Sequence, residues 1–355
     1  MAEQISFPVK RITWSQYEHE TPILLQEANG PCPLIALVNT LLLQNDIYQR
    51  EAGFNPKSNN VGGAARHGES VAKIRALLHR HLDKRVSLDE VLGCLGDVLL
   101  DVYNHDFAVV NRLLENLPLL HTGLSVNPNI YSGGFPRDLS TDIFDAFGLP
   151  FMHGWLWDPK DDVHKDQFQE LQTFDGIQDY LLDPKQDPRL KADIQQWLDR
   201  HSTQLTAYGL KVIDEKMEPD SLAVFFRNNH FSTLYKAHDH DLYLLVTDSS
   251  LSGRCVWQSV ISVSGSDDLF FSGDFVPISD NSDVGGFTNN EDLELVRQLQ
   301  EEEDAALAQR MQSRYEKRDS SNSRPQVLPN EKTEKKKKEK SDVPPKKGKL
   351  SCVIV

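Results

Sequence analysis

Cys32 stands between a turn and an apolar run, and that placement gives its thiol a chemical use. Asn29-Gly30-Pro31 punctuates the turn, and Pro33 suits the first position of a helix, where its missing N–H is not needed and its φ is already helical. Cys32 is therefore the expected N-cap. The segment Leu34 to Leu43 is apolar on nearly every face, so the spacing predicts a buried helix at the centre of the fold, running from Pro33 to about Gln44. Unpaired backbone N–H groups and the positive end of the helix dipole favour thiolate at that end. Gln26, six residues upstream, is the second group: across a tight turn its side-chain amide can donate to an oxyanion beside the backbone N–H of Cys32. A cysteine nucleophile also needs a base, nearly always histidine. Among twelve histidines the candidate is His230, which opens a strand after the turn Arg227-Asn228-Asn229, where a ring is held rigidly yet meets a cleft. Asp248, ending the next strand, is a candidate for orienting that ring, with Asn228, Asn229 and Thr247 as alternatives.

Positioning these groups requires a frame of helices and strands. Phe7 to Trp14 alternates as an early strand, and Gly53 to Gly68 reads as an exposed loop. Val71, Ile74, Leu77 and Leu78 share a helical face. Ser87 to Glu90 forms a capping box before Val91, Leu92, Leu95 and Leu99, and a third helix carries Phe107, Val110, Leu113, Leu114 and Leu117. Together these three make a helical subdomain. Further helices are expected at 138–147, 175–182 and 190–207. From Ser221 the pattern changes to strands: 221–226, 230–235, 242–247 and 255–263, read as an antiparallel meander on which the Cys32 helix packs. The fold class is α+β. The layout assigns 1–280 to a catalytic domain, 281–290 to a linker, 291–317 to a charged helix and 318–351 to a disordered basic tail, ahead of Cys352 to Val355.

Composition excludes several classes. No run of about 18 apolar residues is present and the N-terminus has no charged-then-apolar leader, which predicts a cytosolic chain. Cys32, Cys94, Cys255 and Cys352 are scattered without the paired spacing of a zinc site or disulfide framework, and neither metal nor cofactor is expected. The net charge of −15 is uneven: residues 324–355 carry +6 and the rest −21. An acidic body argues against nucleic acid as a partner.

Cysteine before histidine in chain order, with the cysteine on a buried helix and the histidine on a strand, matches the arrangement of papain-like proteases. The local motif is not papain's own, since Cys32 lacks the Cys-Gly-Ser/Ala-Cys-Trp signature. The runs Gln26-Glu27-Ala28-Asn29-Gly30-Pro31-Cys32-Pro33-Leu34-Ile35-Ala36, Phe225-Phe226-Arg227-Asn228-Asn229-His230-Phe231-Ser232-Thr233 and Leu244-Leu245-Val246-Thr247-Asp248 closely resemble the MINDY deubiquitinase family, in a fungal form. The resemblance spans roughly residues 5 to 280. It implies a papain-like cysteine isopeptidase that trims polyubiquitin, with a preference for chains linked through lysine 48 of ubiquitin. Cys32 would be the nucleophile, His230 the general acid and base, and Gln26 the oxyanion donor, in an acyl transfer through a thioester. Phe226, and less strongly Trp155, would meet ubiquitin through an aromatic ring. A catalytically silent ubiquitin-binding adaptor of the same fold is the alternative.

Residues 292–303 resemble the MIU type of ubiquitin-binding helix that family members carry, with Leu295 and Leu299 on the apolar ridge and Val296 where a small residue is usual. A shifted second copy, 304–312, keeps Ala308. The terminal Cys352-Val353-Ile354-Val355 fits a prenylation pattern, and the Lys-rich stretch before it supplies a second signal for an anionic membrane. A cytoplasmic protein with peripheral membrane association is expected.

Overall fold

A computed structural model describes residues 5–27, 32–54, 68–103, 106–161, 165–251, 253 and 255–278. All belong to the unit Met1–Phe287. Most of the expected loop at 53–68, the linker, the charged helix with Leu295, Val296, Leu299 and Ala308, and the tail with Cys352 lie outside the described residues.

The alternating N-terminal segment forms β1 (Ser6–Trp14), which turns back into β2 (Tyr17–Leu24) in antiparallel register, Val9 opposite Leu24. A short β3 (Arg85–Ser87) joins the other edge of β1, giving a three-stranded sheet in the order β2-β1-β3. Between these strands runs α1 (Cys32–Phe54), which begins at the nucleophile candidate itself and extends ten residues beyond Gln44. Its polar second half suggests an earlier end. The helix continues because those polar groups find partners: Gln49 bonds Asn45 at 2.9 Å, and the buried Asp46 accepts from the Trp14 indole at 3.0 Å, the Thr21 hydroxyl at 2.5 Å and Arg75.

The helical block continues as α2 (Gly68–Arg80), α3 (Leu88–Val102) and α4 (Phe107–Asn116), and α3 carries the expected reciprocal capping box of Ser87 and Glu90. After α5 (Leu119–Thr122) and α6 (Leu139–Ala146, capped by Asp138), β4 (Phe151–His153) enters a second sheet. Among the described residues four helices then intervene: α7 (Lys165–Leu171), α8 (Phe174–Leu182), α9 (Pro188–Arg200) and α10 (Ala207–Lys216). The sequence pattern runs the start of α10 into α9. Thr206 caps α10 separately, and Gly209 lets it abut the backbone of Gly154, where an added Cβ would fall 1.8 Å from the carbonyl oxygen.

Among the described residues the second sheet has six strands in the order β4-β5-β6-β7-β8-β9, with β5 (Ser221–Arg227), β6 (His230–Lys236), β7 (Leu242–Leu245), β8 (Trp257–Ser259) and β9 (Phe270–Phe271). From β5 onward it is the expected antiparallel meander. The sheet as a whole is not antiparallel, because β4 pairs parallel with β5, Phe151 opposite Val224. A parallel pair needs a long crossover, and α7 to α10 supply it.

Helix α1 lies against β2, β5 and β6, and also against α2 and α5. Being covered on all these sides explains its all-round apolar surface. Leu34 to Leu42 fill a core shared with α2, α3, α6 and the inner faces of β5 and β6, while Leu43 and Ile47 fill another with Trp14, Tyr235 and Trp257. Each such leucine contributes about 1.5–3 kcal/mol on burial, so α1 is the element whose loss would empty both cores.

Candidate active site

Cys32 is half-buried at the first turn of α1 and packs against the larger core. Two sets of buried hydrogen bonds tie this helix to the elements that carry the other candidates. Asn39, fully buried, accepts from the Leu24 N–H at 2.8 Å and donates to the Leu24 carbonyl at 2.9 Å, which fixes the end of β2 two residues before Gln26. One residue on, the Thr40 hydroxyl meets that of Thr233 at 3.0 Å, and Thr233 also donates to the carbonyl of Ala36 at 3.3 Å. That pair sets α1 against β6 three residues from His230. The signal for both was legible: polar side chains inside an otherwise apolar helix need partners, and here the partners lie on β2 and β6, which lead to the other candidates.

Gln26 is pinned through its backbone. Its N–H donates to the carbonyl of Thr247 at 2.7 Å, and its carbonyl accepts from the N–H of Ser249 at 2.9 Å, an isolated parallel bridge to Asp248. Gln26 and Asp248 are thereby neighbours. The Asp248 side chain is exposed, and its Oδ1 accepts from both the N–H and the hydroxyl of Ser250 at 2.7 Å each.

His230 opens β6 directly opposite Arg227, across a two-residue loop. Asn228 and Asn229 both adopt positive φ, 50° and 55°, the type I′ geometry whose twist suits a tight hairpin and which asparagine tolerates. Arg227 braces the hairpin by donating to the carbonyls of Thr203 at 3.1 Å and Val263 at 2.6 Å. These two asparagines therefore shape the turn. Although the residue as a whole still meets solvent, the enclosed imidazole of His230 is lowered to about 4 by burial, opposed by the negative charge of Asp248. It is neutral at physiological pH.

Cys94 and Cys255 are held away from thiolate by burial, Cys255 up to about 11. Cys32 stands at the positive end of a 23-residue helix instead. A thiol so placed, a neutral imidazole under a carboxylate's influence and a backbone-anchored carboxamide are the groups that acyl transfer requires.

The two aromatic candidates for contact with a partner are corrected by their burial. Phe226 is 6% exposed and meets Phe231 edge to face in the main core, because β5 is covered on both faces. Trp155, 4% exposed, stacks on Trp197 within the aromatic core of the crossover helices. Neither ring is presented at the surface. Among the described residues no group of acidic, histidine or cysteine side chains could hold a metal ion, and no helix is long and apolar enough to cross a membrane.

A model of the MINDY deubiquitinase family matches residues 5–275. Ubiquitin carboxyl-terminal hydrolase MIY1 of Saccharomyces cerevisiae is 31% identical over 88% of this chain and 86% of its own length. Bovine ubiquitin carboxyl-terminal hydrolase MINDY-1 is 32% identical over 75% of this chain and 53% of its own, and human MINDY-2 is 30% identical over 72% and 39%. The match with the yeast protein covers most of both chains, which supports a fungal member. On a family match that runs through both sheets and every residue of the candidate site, this chain belongs to the MINDY deubiquitinases.

Proposed function

We propose that the chain is a papain-like thiol isopeptidase that hydrolyses polyubiquitin through a thioester on Cys32, preferring lysine 48 linkages. The observation that carries this reading is the pair of buried bonds from α1, Asn39 to Leu24 and Thr40 to Thr233, which join the helix of Cys32 to the strands leading to Gln26 and His230. The Cys32 thiol gives its proton to the imidazole of His230, and the sulfur attacks the isopeptide carbonyl as its π pair moves onto oxygen. The Gln26 amide and the Cys32 N–H donate to that oxyanion. The imidazolium then protonates the departing lysine amine as the C–N bond breaks. Water, deprotonated by His230, attacks the thioester, the C–S bond breaks and the thiol is regenerated. Asp248 acts on the charge of His230. Beyond the described residues, 291–317 binds further ubiquitin units, and prenylated Cys352 with its basic tail holds the enzyme at an anionic membrane.

The test is cleavage of purified polyubiquitin of each linkage by the wild type, Cys32→Ala and His230→Ala. Cleavage concentrated on lysine 48 chains and lost in both variants supports the reading. Chains bound but left uncut by the wild type would sink it.

A further inference from the structure

One motif residue that the mechanism does not use is Glu27. It comes directly after the backbone-anchored Gln26, and only residues 28–31 separate it from Cys32. Its carboxylate is gripped by both ends of the Arg85 guanidinium, Oε1 at 2.6 Å and Oε2 at 3.1 Å. Arg85 is itself immobilised: it donates from Nε to the Ser6 hydroxyl at 2.9 Å and from Nη2 to the Ser6 carbonyl at 2.5 Å. It lies on β3, opposite Pro8 of β1, so the side chain spans β1 to reach the chain as it leaves β2. A planar fork already fixed at its stem loses little further freedom on binding a carboxylate.

We propose that Arg85 and Glu27 form a positioning pair for the nucleophile, fixing the upstream stem of the stretch from Gln26 to Cys32. This rests on the catalytic reading of Cys32 and Gln26. The backbone bridge to Thr247 and Ser249 holds Gln26, and the side chain of the next residue is held from the other side. Arg85 provides that second hold. Both partners are about half exposed, at 46% and 51%, and exposed ion pairs contribute little to global stability. The geometry is thus one that orders a local stem rather than supports the fold.

The experiment uses the full chain with Glu27→Gln, Arg85→Ala, Arg85→Lys and the double variant. Each single charge removal lowers kcat for lysine 48 chains about 5- to 10-fold with KM changed less than about 2-fold, since small misplacements of reacting groups are costly. The double variant is no worse than Arg85→Ala, Arg85→Lys is intermediate, and melting temperatures stay close to the wild type. In parallel, iodoacetamide labelling of Cys32, read out by peptide mass spectrometry, slows about threefold or more in the variants while that of Cys94 does not change. Unchanged kcat and labelling, or losses that multiply in the double variant, overturn the pair. A wild type that cuts no chain would defeat the catalytic reading, and the labelling rates would still decide on the stem.

Discussion

At the scale of single residues, the site separates groups by environment. His230 and His153 are both lowered to about 4 by burial, but they serve different ends. His153 accepts from the N–H of Trp155 on Nδ1 at 3.2 Å, so its Nε2 must carry the proton given to the Gly134 carbonyl at 2.9 Å; it is a structural, neutral tautomer. Its folded value lies below the ordinary 6.5, so between the two the unfolded chain holds more protons. Stability therefore falls as pH drops from about 6.5 and the loss is complete below about 4. Between pH 7 and 5 the cost of this one group is about 2 kcal/mol, and urea denaturation of His153→Gln should show the wild-type decline reduced by that amount. For His230 the neighbouring carboxylate works the other way, favouring the charged ring. Asp248→Asn should move the titration of the His230 ring, tracked by NMR, to still lower pH; an unmoved titration would show that Asp248 does not act on it. Gln26→Ala should lower kcat by about 10²–10³-fold, the usual cost of one oxyanion donor, with KM little changed in steady-state assays.

At the scale of elements, α1 determines whether these residues meet. Thr233 is buried and bonds both Thr40 and the Ala36 carbonyl, so Thr233→Val leaves two groups of the helix without their partner at a cost of about 1–3 kcal/mol. Chemical denaturation should record that loss, and kcat should fall with it because β6 loses its register on the nucleophile helix. A variant with full stability and activity would contradict this coupling. Much of this arrangement is readable from local chemistry: the Ser87 capping box, the Asn228-Asn229 hairpin and the apolar run after Cys32 each name their element. The features that escape such a reading are set at a distance. The second half of α1 escapes because Asp46 and Asn45 find their partners elsewhere in the fold or one turn along, and β2 is hidden because its first residues are exposed and unpatterned. Burial of Phe226, by contrast, is written in its own strand: the unbroken apolar run from Leu222 to Phe226 marks a strand covered on both faces.

At the scale of the whole molecule, the proposed reading assigns chemistry and polymer recognition to different stretches of the chain. The family match ends at 275, within the described unit, and every proposed catalytic residue lies before that point. The chemistry should therefore be complete in a chain ending at Ile278, whereas recognition of a long polymer should not. If 291–317 engages a second ubiquitin unit, its tether to the enzyme turns that second contact into an intramolecular one, and the gain scales with effective concentration rather than with new catalytic contacts. Truncation after Ile278 should then leave kcat within about twofold while raising KM for long chains about tenfold, with a much smaller change for diubiquitin. Steady-state kinetics on chains of two and of six or more units separate the cases. Equal losses on both lengths would mean that the C-terminal segment supports the active site itself, and no change on either would remove it from substrate recognition. The same truncation, compared with Cys32→Ala as a binding-only form, tests the division of labour between an acyl-transfer centre built on α1 and a polymer-binding extension that contributes affinity without touching the reacting atoms.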